Sequence, residues 1–568
     1  MRNTKYENLV GNLISALLLL ATVFTWKSGT DPVNVPKEFI LVSGSFFLFG
    51  IIGFKFKQKA KSIEFKVQIL FLFFCLALFS SFVFSAAPKT HQLYGVLGRS
   101  LGLLTYLSLA ILFYATVVNR STNLIRYSQI CLQIAFIYNA ALCLLQLRGM
   151  EPLGYNNIFR VPLGSFGNPN FISAFFGIFG SCFFAYLFTK DVKIYYKVFI
   201  VLELILGIFL INKTGSRQGF IILLAGFSLV IFFFLKSLRG KRQVLLAYSI
   251  FMSPIIFSAA LGVFKIGPLG ELIYKVSIAL RIEYWKAALN MIQSNPLSGV
   301  GLNSYGDWYR FSRDASAIIL PGAEIVTNSS HSVPLDFGVT GGFPLLLAYL
   351  LIQLLVVASI FQIVRRFDHY DFRLVGLIAG WLSFTLQSLI SIDQIGISVW
   401  GWFFSGSIIA CRIKLSNENV PSANIRSHQE SKKRHEKESS QIPALPIVFG
   451  SIMGIFGLLL SIPNFQADLK WGMAMRTGDI NQIKSSAEAW PQDEMRLGTA
   501  AYIFGDNKLW DEALIYANKT VGFNPRSYSA WRMILANPRA TVEQRRAALE
   551  KMKSLDPKNL TLNNLAVK

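Results

Sequence analysis

Thirteen long apolar runs divide this sequence, and they constrain its fold more than any other feature. A helix that crosses the hydrocarbon of a bilayer needs about 20 predominantly apolar residues, because each residue advances a helix by about 1.5 Å. The runs lie at about residues 9–26, 38–54, 67–86, 98–118, 127–147, 170–188, 194–211, 218–235, 244–264, 342–362, 374–391, 395–411 and 443–462. We therefore predict an all-α, polytopic membrane helix bundle of about thirteen transmembrane helices.

The composition agrees with a membrane protein and argues against two other classes, a fully soluble protein and a nucleic-acid-binding protein. Only 15% of the 568 residues are charged, whereas soluble domains carry roughly 25%. The net charge of +24 lies in short clusters between the apolar runs, as in the cytoplasmic loops of membrane proteins, and this argues against a nucleic-acid-binding surface. The five cysteines lie in apolar runs without metal-like spacing, so neither a disulfide framework nor a metal site is predicted.

The basic clusters also predict the orientation. With the N-terminus in the cytoplasm, nearly every short Lys/Arg cluster falls on the cytoplasmic side, and thirteen crossings place the C-terminus outside. The predicted location is therefore the inner (cytoplasmic) membrane. The predicted domains are a transmembrane domain over 1–411 with a long outer loop at 265–341, a polar, disordered cytoplasmic linker at 412–442, a last transmembrane helix at 443–462, and an outer helical domain over 463–568.

Two outer regions have helical patterns. Within the long outer loop, the spacing of apolar residues over 280–289 predicts a helix near the membrane surface. In the C-terminal domain, the runs 510–519 and 524–531 resemble a tetratricopeptide helix pair, and a second, weaker unit runs from Val542 to Pro557. Such repeats need neighbours to bury their faces, so we expect this domain to pack on the membrane domain or on a protein partner.

Four arginines lie on the predicted outer side, against the usual distribution of basic residues: Arg99, Arg160, Arg217 and Arg281. Each can simply extend to lipid headgroups. Together they can form an anion site, because a guanidinium group binds two phosphate oxygens at once. His331 follows Asn328-Ser329-Ser330 in the same outer region, and it is either an exposed loop residue or a general base.

Three stretches carry a resemblance to a known family. They are Thr214-Gly215-Ser216-Arg217-Gln218-Gly219, then Arg281 with Tyr284-Trp285 followed by the run 295–305, and then His331 followed by Gly341-Gly342. In order, spacing and outer location they resemble the bacterial O-antigen ligase and O-antigen polymerase superfamily. Gly167-Asn168-Pro169-Asn170 is also similar to members of that group. The resemblance covers roughly residues 90–410.

The resemblance implies a lipid-donor glycosyltransferase that needs no metal or other cofactor. It implies that Arg217 and Arg281 hold the donor diphosphate and that His331 lies near the acceptor. The remaining substrate-binding candidates are Arg99, Arg160, Asn168, Asn170, Ser216, Tyr284, Trp285, Asn303 and Tyr305. Two departures concern the acceptor side, because Ser332 replaces a frequent Asn and no glutamate lies between His331 and Gly341. Asp336, Asp393 and Glu283 are candidates to orient His331 or an arginine.

The resulting hypothesis is an inverting transfer of a glycan from polyprenyl diphosphate to an acceptor on the outer face of the membrane. The acceptor can be a lipid-anchored glycan core (a ligase), a growing chain (a surface-polysaccharide polymerase) or a protein hydroxyl (a protein O-oligosaccharyltransferase). Two other classes compete with this one. A flippase of lipid-linked oligosaccharides would place its binding residues near the membrane midplane, and a scaffold would act only through its C-terminal domain.

Overall fold

The computed structural model describes residues 4–53, 63–119, 121, 123–154, 157–238, 242–262, 266–267, 276–366, 371–418, 444–563 and 565. All regular secondary structure within these ranges is helical. The first ten α-helices are α1 (Thr4–Val23), α2 (Asn34–Ile52), α3 (Ile63–Phe84), α4 (Lys89–Tyr94), α5 (Leu103–Val118), α6 (Leu124–Leu147), α7 (Pro169–Phe184), α8 (Ile194–Lys213), α9 (Gln218–Ser237) and α10 (Arg242–Gly262).

The second half of the chain contains two regions that need names. Residues 276–332, which are predicted to lie on the outer side, are called the outer segment, and residues 480–563 are called the tail. The helices are α11 (Val276–Ser294), α12 (Tyr305–Ser312), α13 (Val333–Arg366), α14 (Phe372–Ile390), α15 (Ile395–Glu418), α16 (Ala444–Thr477), α17 (Ile480–Ala487), α18 (Glu494–Asp506), α19 (Trp510–Phe523), α20 (Tyr528–Ala536), α21 (Val542–Leu555) and α22 (Leu560–Asn563). The predicted helix over 280–289 is the centre of α11. Most of the predicted linker, from residue 419 onward, lies outside the described residues.

The fold class predicted from the apolar runs is confirmed. Among the described residues, eleven helices are long and apolar enough to cross a membrane. Each of the thirteen predicted runs coincides with a helix. Two of these thirteen helices are not among the eleven candidate spans, namely α5, which has 16 residues, and α10, which contains Pro254.

The predicted start of the fourth span, at residue 98, is wrong by five residues. Gly95, Gly98 and Ser100 have positive φ angles, which a helix cannot accommodate. Helix α5 therefore begins only at Leu103. As a consequence, Arg99 lies in a loop before the helix and not inside its first turn.

Two helices lie at the centre of the bundle, where phenylalanine side chains fill the space between them and their neighbours. Almost every residue of α7 is buried, and α15 is similarly enclosed. Phe179 of α7 stacks on Phe136 of α6 with 3.9 Å between ring centroids. Such an interior is rigid because close-packed side chains leave few voids, so the outer ends of these helices form a fixed base for the loops above.

The last predicted span ends at residue 462, but α16 continues without a break to Thr477. Its first half packs closely on α2 through glycines, and at Gly450 a Cβ atom would lie only 2.4 Å from Ile51 Cγ1. Its second half is polar, and those polar groups are paired: Asn464 donates to Glu38 Oε2 at 2.7 Å, and Asp468 Oδ1 accepts from the backbone N–H of Asp31 at 3.0 Å. The tail is thereby joined to the bundle by one continuous helix.

The tail packs its helices around small and aromatic side chains and lies on the outer segment. Its core includes Ala500, Ala501 and Phe504 of α18 with Tyr516 and Ala517 of α19. At the outer segment, a carboxylate after α21 lies between two arginines at the end of α12: Asp556 Oδ2 is 2.6 Å from Arg313 Nη2 and 3.2 Å from Arg310 Nη1. The structure therefore places the tail on the membrane domain of the same chain.

Candidate functional site

The loop before α13 holds His331 in an unusual backbone conformation. His331 has φ of 59°, a left-handed geometry that costs free energy for any residue with a side chain and that clusters at functional sites. Asp336 stabilises this loop, because its carboxylate accepts from Ser329 Oγ at 2.6 Å and from the backbone N–H of Ser330 at 2.8 Å. The backbone N–H of His331 donates to Ser329 Oγ at 3.0 Å. Asp336 therefore fixes the position of the loop.

Aromatic side chains fix the orientation of the His331 ring. Its imidazole stacks on Tyr284 of α11, with 5.5 Å between centroids and an angle of 27°. The backbone carbonyl of Tyr284 in turn accepts from the hydroxyl of Tyr305 at 2.7 Å. Tyr284 and Tyr305 are both buried, at 7% and 2% exposure. Tyr284, a predicted substrate-binding residue, thus packs against His331, and Tyr305, another such residue, supports Tyr284.

Two arginines surround His331 with positive charge. Burial and, to a smaller extent, the nearby charges of Arg281 and Arg99 together lower the pKa of His331 to about 3. Arg99 donates from Nε and Nη2 to Asn328 Oδ1 at 3.3 and 3.2 Å, so its hydrogen-bond partner there is a neutral amide. Burial also lowers the pKa of both arginines. A group of desolvated cations beside a neutral imidazole favours an anionic ligand.

The predicted donor residues Arg217 and Ser216 lie on the turn between α8 and α9. Arg217 is exposed at the N-cap position of α9, and the preceding Gly215 has φ of 69°. Ser216 is buried, and among the described residues its Oγ has no hydrogen-bond partner. The charges that lower the pKa of His331 are those of Arg281 and Arg99. The structure thus brings Arg99 and Arg281 close to His331, and it places Arg217 at the N-terminal end of α9.

The predicted asparagines hold local backbone structure. Asn168 caps α7 by accepting from the backbone N–H of Asn170 at 2.9 Å. Asn303 Oδ1 accepts from the backbone N–H of Val96 at 2.8 Å, and its own carbonyl lies 3.0 Å from His91 Nε2. Asn303 therefore ties the loop that carries Arg99 to the outer segment.

The other candidates are Arg160, Trp285, Glu283 and Asp393, and they differ in exposure and in their partners. Arg160 is exposed with φ of 52°, and within the described residues no contact joins it to Arg99 or Arg281. Trp285 is half-buried, and its Nε1 has no hydrogen-bond partner in the part of the chain that the structure describes. Glu283 pairs with Lys286 at 2.7 Å, whereas Asp393 accepts from the backbone N–H of Gln394 at 3.0 Å. Neither carboxylate orients the His331 ring.

The structure also assembles a cluster that the sequence did not reveal. Side-chain ligand atoms of His91, Asp307 and Glu494 lie within 4.8 Å of one another, at the boundary between the tail and the rest of the chain. Burial raises the pKa of both carboxyl groups, and each is close to the other. Asn524 donates to the Glu494 carboxylate. Such a group can share a proton or hold a cation. Its members come from α4, α12 and α18, so no sequence spacing connects them.

Comparison with known proteins identifies the middle of the chain. Residues 202–350 match the family model Wzy_C, described as O-Antigen ligase. The match supports the O-antigen ligase superfamily and, in general terms, a membrane protein that transfers glycans. It covers Arg217, Arg281 and His331 and ends before the tail, so the tetratricopeptide-like character of the tail stays a prediction. No curated protein matches the chain.

Proposed function

We propose that this protein is a glycosyltransferase that moves a glycan from a polyprenyl diphosphate to an acceptor hydroxyl on the outer face of the cytoplasmic membrane. The observation that carries the proposal is the site before α13. A neutral histidine, held at a strained backbone position, lies beside two desolvated arginines, and His331 and Arg281 belong to the stretch that matches the O-antigen ligase family.

The proposed reaction is a single displacement. The acceptor oxygen attacks the anomeric carbon while the bond from that carbon to the diphosphate oxygen breaks, so the anomeric configuration inverts. The bonding electron pair leaves with the polyprenyl diphosphate. Arg281 and Arg99 stabilise the negative charge that grows on the leaving oxygen, and such fixed positive groups are worth most where water is excluded. Arg217 is proposed as a third contact to the donor, through the family resemblance.

His331 is proposed to take the proton from the acceptor hydroxyl. A histidine whose pKa is near 3 is neutral at ordinary pH, so it has a free lone pair, but it is a weak base. A bound diphosphate would add negative charge beside it and offset the two arginines. This raises the pKa of His331 only when the donor is in place. The arrangement thus couples proton removal to donor binding, and it requires no metal ion for these steps.

The proposal is tested with the purified full chain, a polyprenyl-diphosphate glycan and candidate acceptors. We expect release of polyprenyl diphosphate together with transfer of the glycan, and a decrease of about 100-fold or more in His331→Ala. Asn518→Ala, which changes an exposed residue of α19, should keep the wild-type rate. Movement of the intact lipid across vesicles without any transfer would contradict the proposal and indicate a flippase.

A further inference from the structure

Two cavities meet at Arg99, and their linings differ. The first, which we call the membrane-side cavity, has a volume of about 690 Å³ and includes Ile158, Phe159 and Phe171. The second, which we call the tail cleft, has a volume of about 1020 Å³ and lies between the tail and the outer segment. Arg99, Asn328 and Met495 line both cavities. A reaction centre at Arg99 can therefore be reached from two sides.

The membrane-side cavity has the chemistry that a lipid-linked anion requires. Ile158 and Phe159 are 74% and 48% exposed and offer apolar surface to a polyprenyl chain. Lys27 and Arg99 supply positive charge in the same cavity, which the carboxylates of Asp31 and Asp393 also line. A lipid diphosphate would bury its hydrocarbon against the first pair and its charge against the second.

The tail cleft has a different lining. It contains hydroxyl, amide, guanidinium and carboxylate groups together with the rings of Tyr502 and Tyr528. Three carboxylates face it, namely Asp307, Asp493 and Glu494, and four guanidinium groups face it as well, namely Arg99, Arg310, Arg526 and Arg532, so the cleft carries charges of both signs. Alternating polar groups and aromatic faces suit a polyhydroxyl ligand, whose hydroxyls form hydrogen bonds and whose ring hydrogens contact aromatic side chains.

One face of a single helix supplies much of this lining. Met495, Gly498, Thr499 and Tyr502 of α18 all border the tail cleft, and their spacing places them on one side of a helix. The opposite side of α18 is buried in the tail core. Tyr502 is 61% exposed. Because its ring is exposed beside the cleft, it is available to a ligand.

The tail cannot move away from the cleft without breaking buried interactions. Arg526 lies over the ring of Trp308 at 3.6 Å and donates from Nε to the carbonyl of Asp307 at 3.1 Å. Together with the buried pairing of Asp556, these contacts hold α18 and α20 at a fixed distance from the outer segment. The cleft is therefore a pre-formed site.

From these features we propose that the tail cleft binds the acceptor, and that the acceptor is an oligosaccharide several units long. This inference rests on the proposed function and extends it by naming the acceptor and the wall that holds it. The volume of about 1020 Å³ lies at the upper end of the range of about 300–1,000 Å³ for small-ligand sites, which suits a chain of sugars better than one sugar. The acceptor end enters the reaction centre past Asn328, opposite the donor.

The test fills the cleft and measures both substrates separately. Thr499→Trp places a large ring in the cleft, and Ile515→Trp adds the same ring on the exposed face of α19, where Ile515 is 52% exposed. The binding probe is a set of oligosaccharides released by mild acid from the surface polysaccharide of the producing organism. Their affinity for the purified full chain in detergent is measured by calorimetry, and steady-state kinetics give the KM values of donor and acceptor.

We expect Thr499→Trp to weaken oligosaccharide binding and to raise the acceptor KM by about 10-fold or more, with the donor KM unchanged and with Ile515→Trp like wild type. Tyr502→Ala, at an exposed position, should weaken acceptor binding by about 3- to 10-fold without affecting folding. Equal acceptor KM values in Thr499→Trp and Ile515→Trp, or binding of a serine-containing peptide in place of the oligosaccharide, would overturn the inference. If Thr499→Trp abolishes oligosaccharide binding, the inference about the tail cleft is supported even when no glycan transfer is detected. The absence of glycan transfer, by contrast, refutes the proposed function and not the inference about the tail cleft.

Discussion

Two groups of arginines lie on or beside the outer segment, and they differ in what neutralises them. On the side toward the tail, Arg313 and Arg310 contact the Asp556 carboxylate at 2.6 and 3.2 Å, with the Arg313 and Asp556 side chains fully buried. On the side toward His331, Arg99 contacts a neutral amide oxygen, and burial lowers the pKa of Arg281. The carboxylates of Asp336 and Asp31 also act on Arg99, but neither forms a direct ion pair with it among the described residues. The first group is thus paired directly with a carboxylate of the protein, and the second is not.

This difference separates structural from functional arginines on physical grounds. A buried ion pair whose partner is present contributes to a fixed geometry, and removing one member leaves an uncompensated charge. A desolvated cation beside neutral groups destabilises the free protein and gains free energy when an anion arrives. The comparison therefore predicts opposite consequences for stability and for activity when an arginine is removed from each side.

The largest expected effect is on stability, at the balanced side. Arg313→Ala leaves Asp556 buried and without its closest cation, and it should destabilise the folded chain by about 3–5 kcal/mol. The measurement is thermal or denaturant unfolding of the purified protein, monitored by the fluorescence of the tryptophan residues in the tail. Arg532→Ala, which removes an exposed pair with Glu324 at 3.0 Å, should cost at most about 1 kcal/mol. Similar losses in the two variants would show that burial does not distinguish these pairs.

The next effect is on activity, at the side that retains its charge. Arg281→Ala should lower kcat for glycan transfer by about 10²–10³-fold, the range measured when one transition-state charge stabiliser is removed. Its unfolding temperature should stay equal to wild type or rise slightly, because a desolvated cation has been removed. Arg539→Ala, at a surface pair of the tail, should change neither quantity. A large loss of stability in Arg281→Ala would mean that Arg281 belongs with the structural group.

The fold could be predicted from hydropathy because bilayer thickness sets a helix length that is visible in the sequence. The pattern failed where backbone conformation decides, as at Gly98 and Ser100, whose positive φ angles delay the start of α5. It also gave no sign that the helix of the last predicted span, which ends at residue 462, continues to Thr477, because the partners of the polar residues Asn464 and Asp468 lie on α2 and on the loop before it. Contacts between residues that are distant in the chain leave no periodic pattern in the sequence, so they could not be predicted from it.

The candidate site shows the same limit. Motif spacing identified Arg281, His331 and Tyr284, which lie in one stretch of the chain and which the structure brings together. Asp336, Asp393 and Glu283 were all candidates to orient His331 or an arginine, and the sequence could not single out Asp336 as the anchor of the His331 loop. It carried no information on the meeting of His91, Asp307 and Glu494. Those contacts depend on how the tail and the outer segment pack, and local patterns do not encode that packing.

A smaller effect is expected at the anchor of the loop. Asp336→Asn removes the negative charge that holds Ser329 Oγ and the backbone N–H of Ser330, and it should lower kcat by about 10- to 100-fold through misplacement of His331. Donor KM should change little, since Asp336 acts through the loop as a positioning residue. Asp371→Asn, at the exposed N-cap of α14, is the matched control. A changed donor KM with unchanged kcat would instead assign Asp336 to donor binding.

The smallest effect is on the pH dependence of transfer, and it tests whether Arg281 and Arg99 act on His331. Because its pKa is about 3 in the free protein, His331 stays neutral as pH falls from 8 to about 5, and kcat/KM, which reports the free enzyme, should have no acidic limb there. With the donor bound, the added negative charge raises the pKa of His331, so kcat should fall as pH decreases through this higher value.

The variant Arg281→Gln tests the role of the arginine in this profile. Because one positive neighbour is absent, the pKa of His331 in the free protein rises. The acidic limb of the kcat/KM profile should therefore move to higher pH, toward the acidic limb of the kcat profile. Profiles of both constants from about pH 4 to 9 make this comparison, and coincident acidic limbs in the wild-type protein would show that the arginines do not control the basicity of His331.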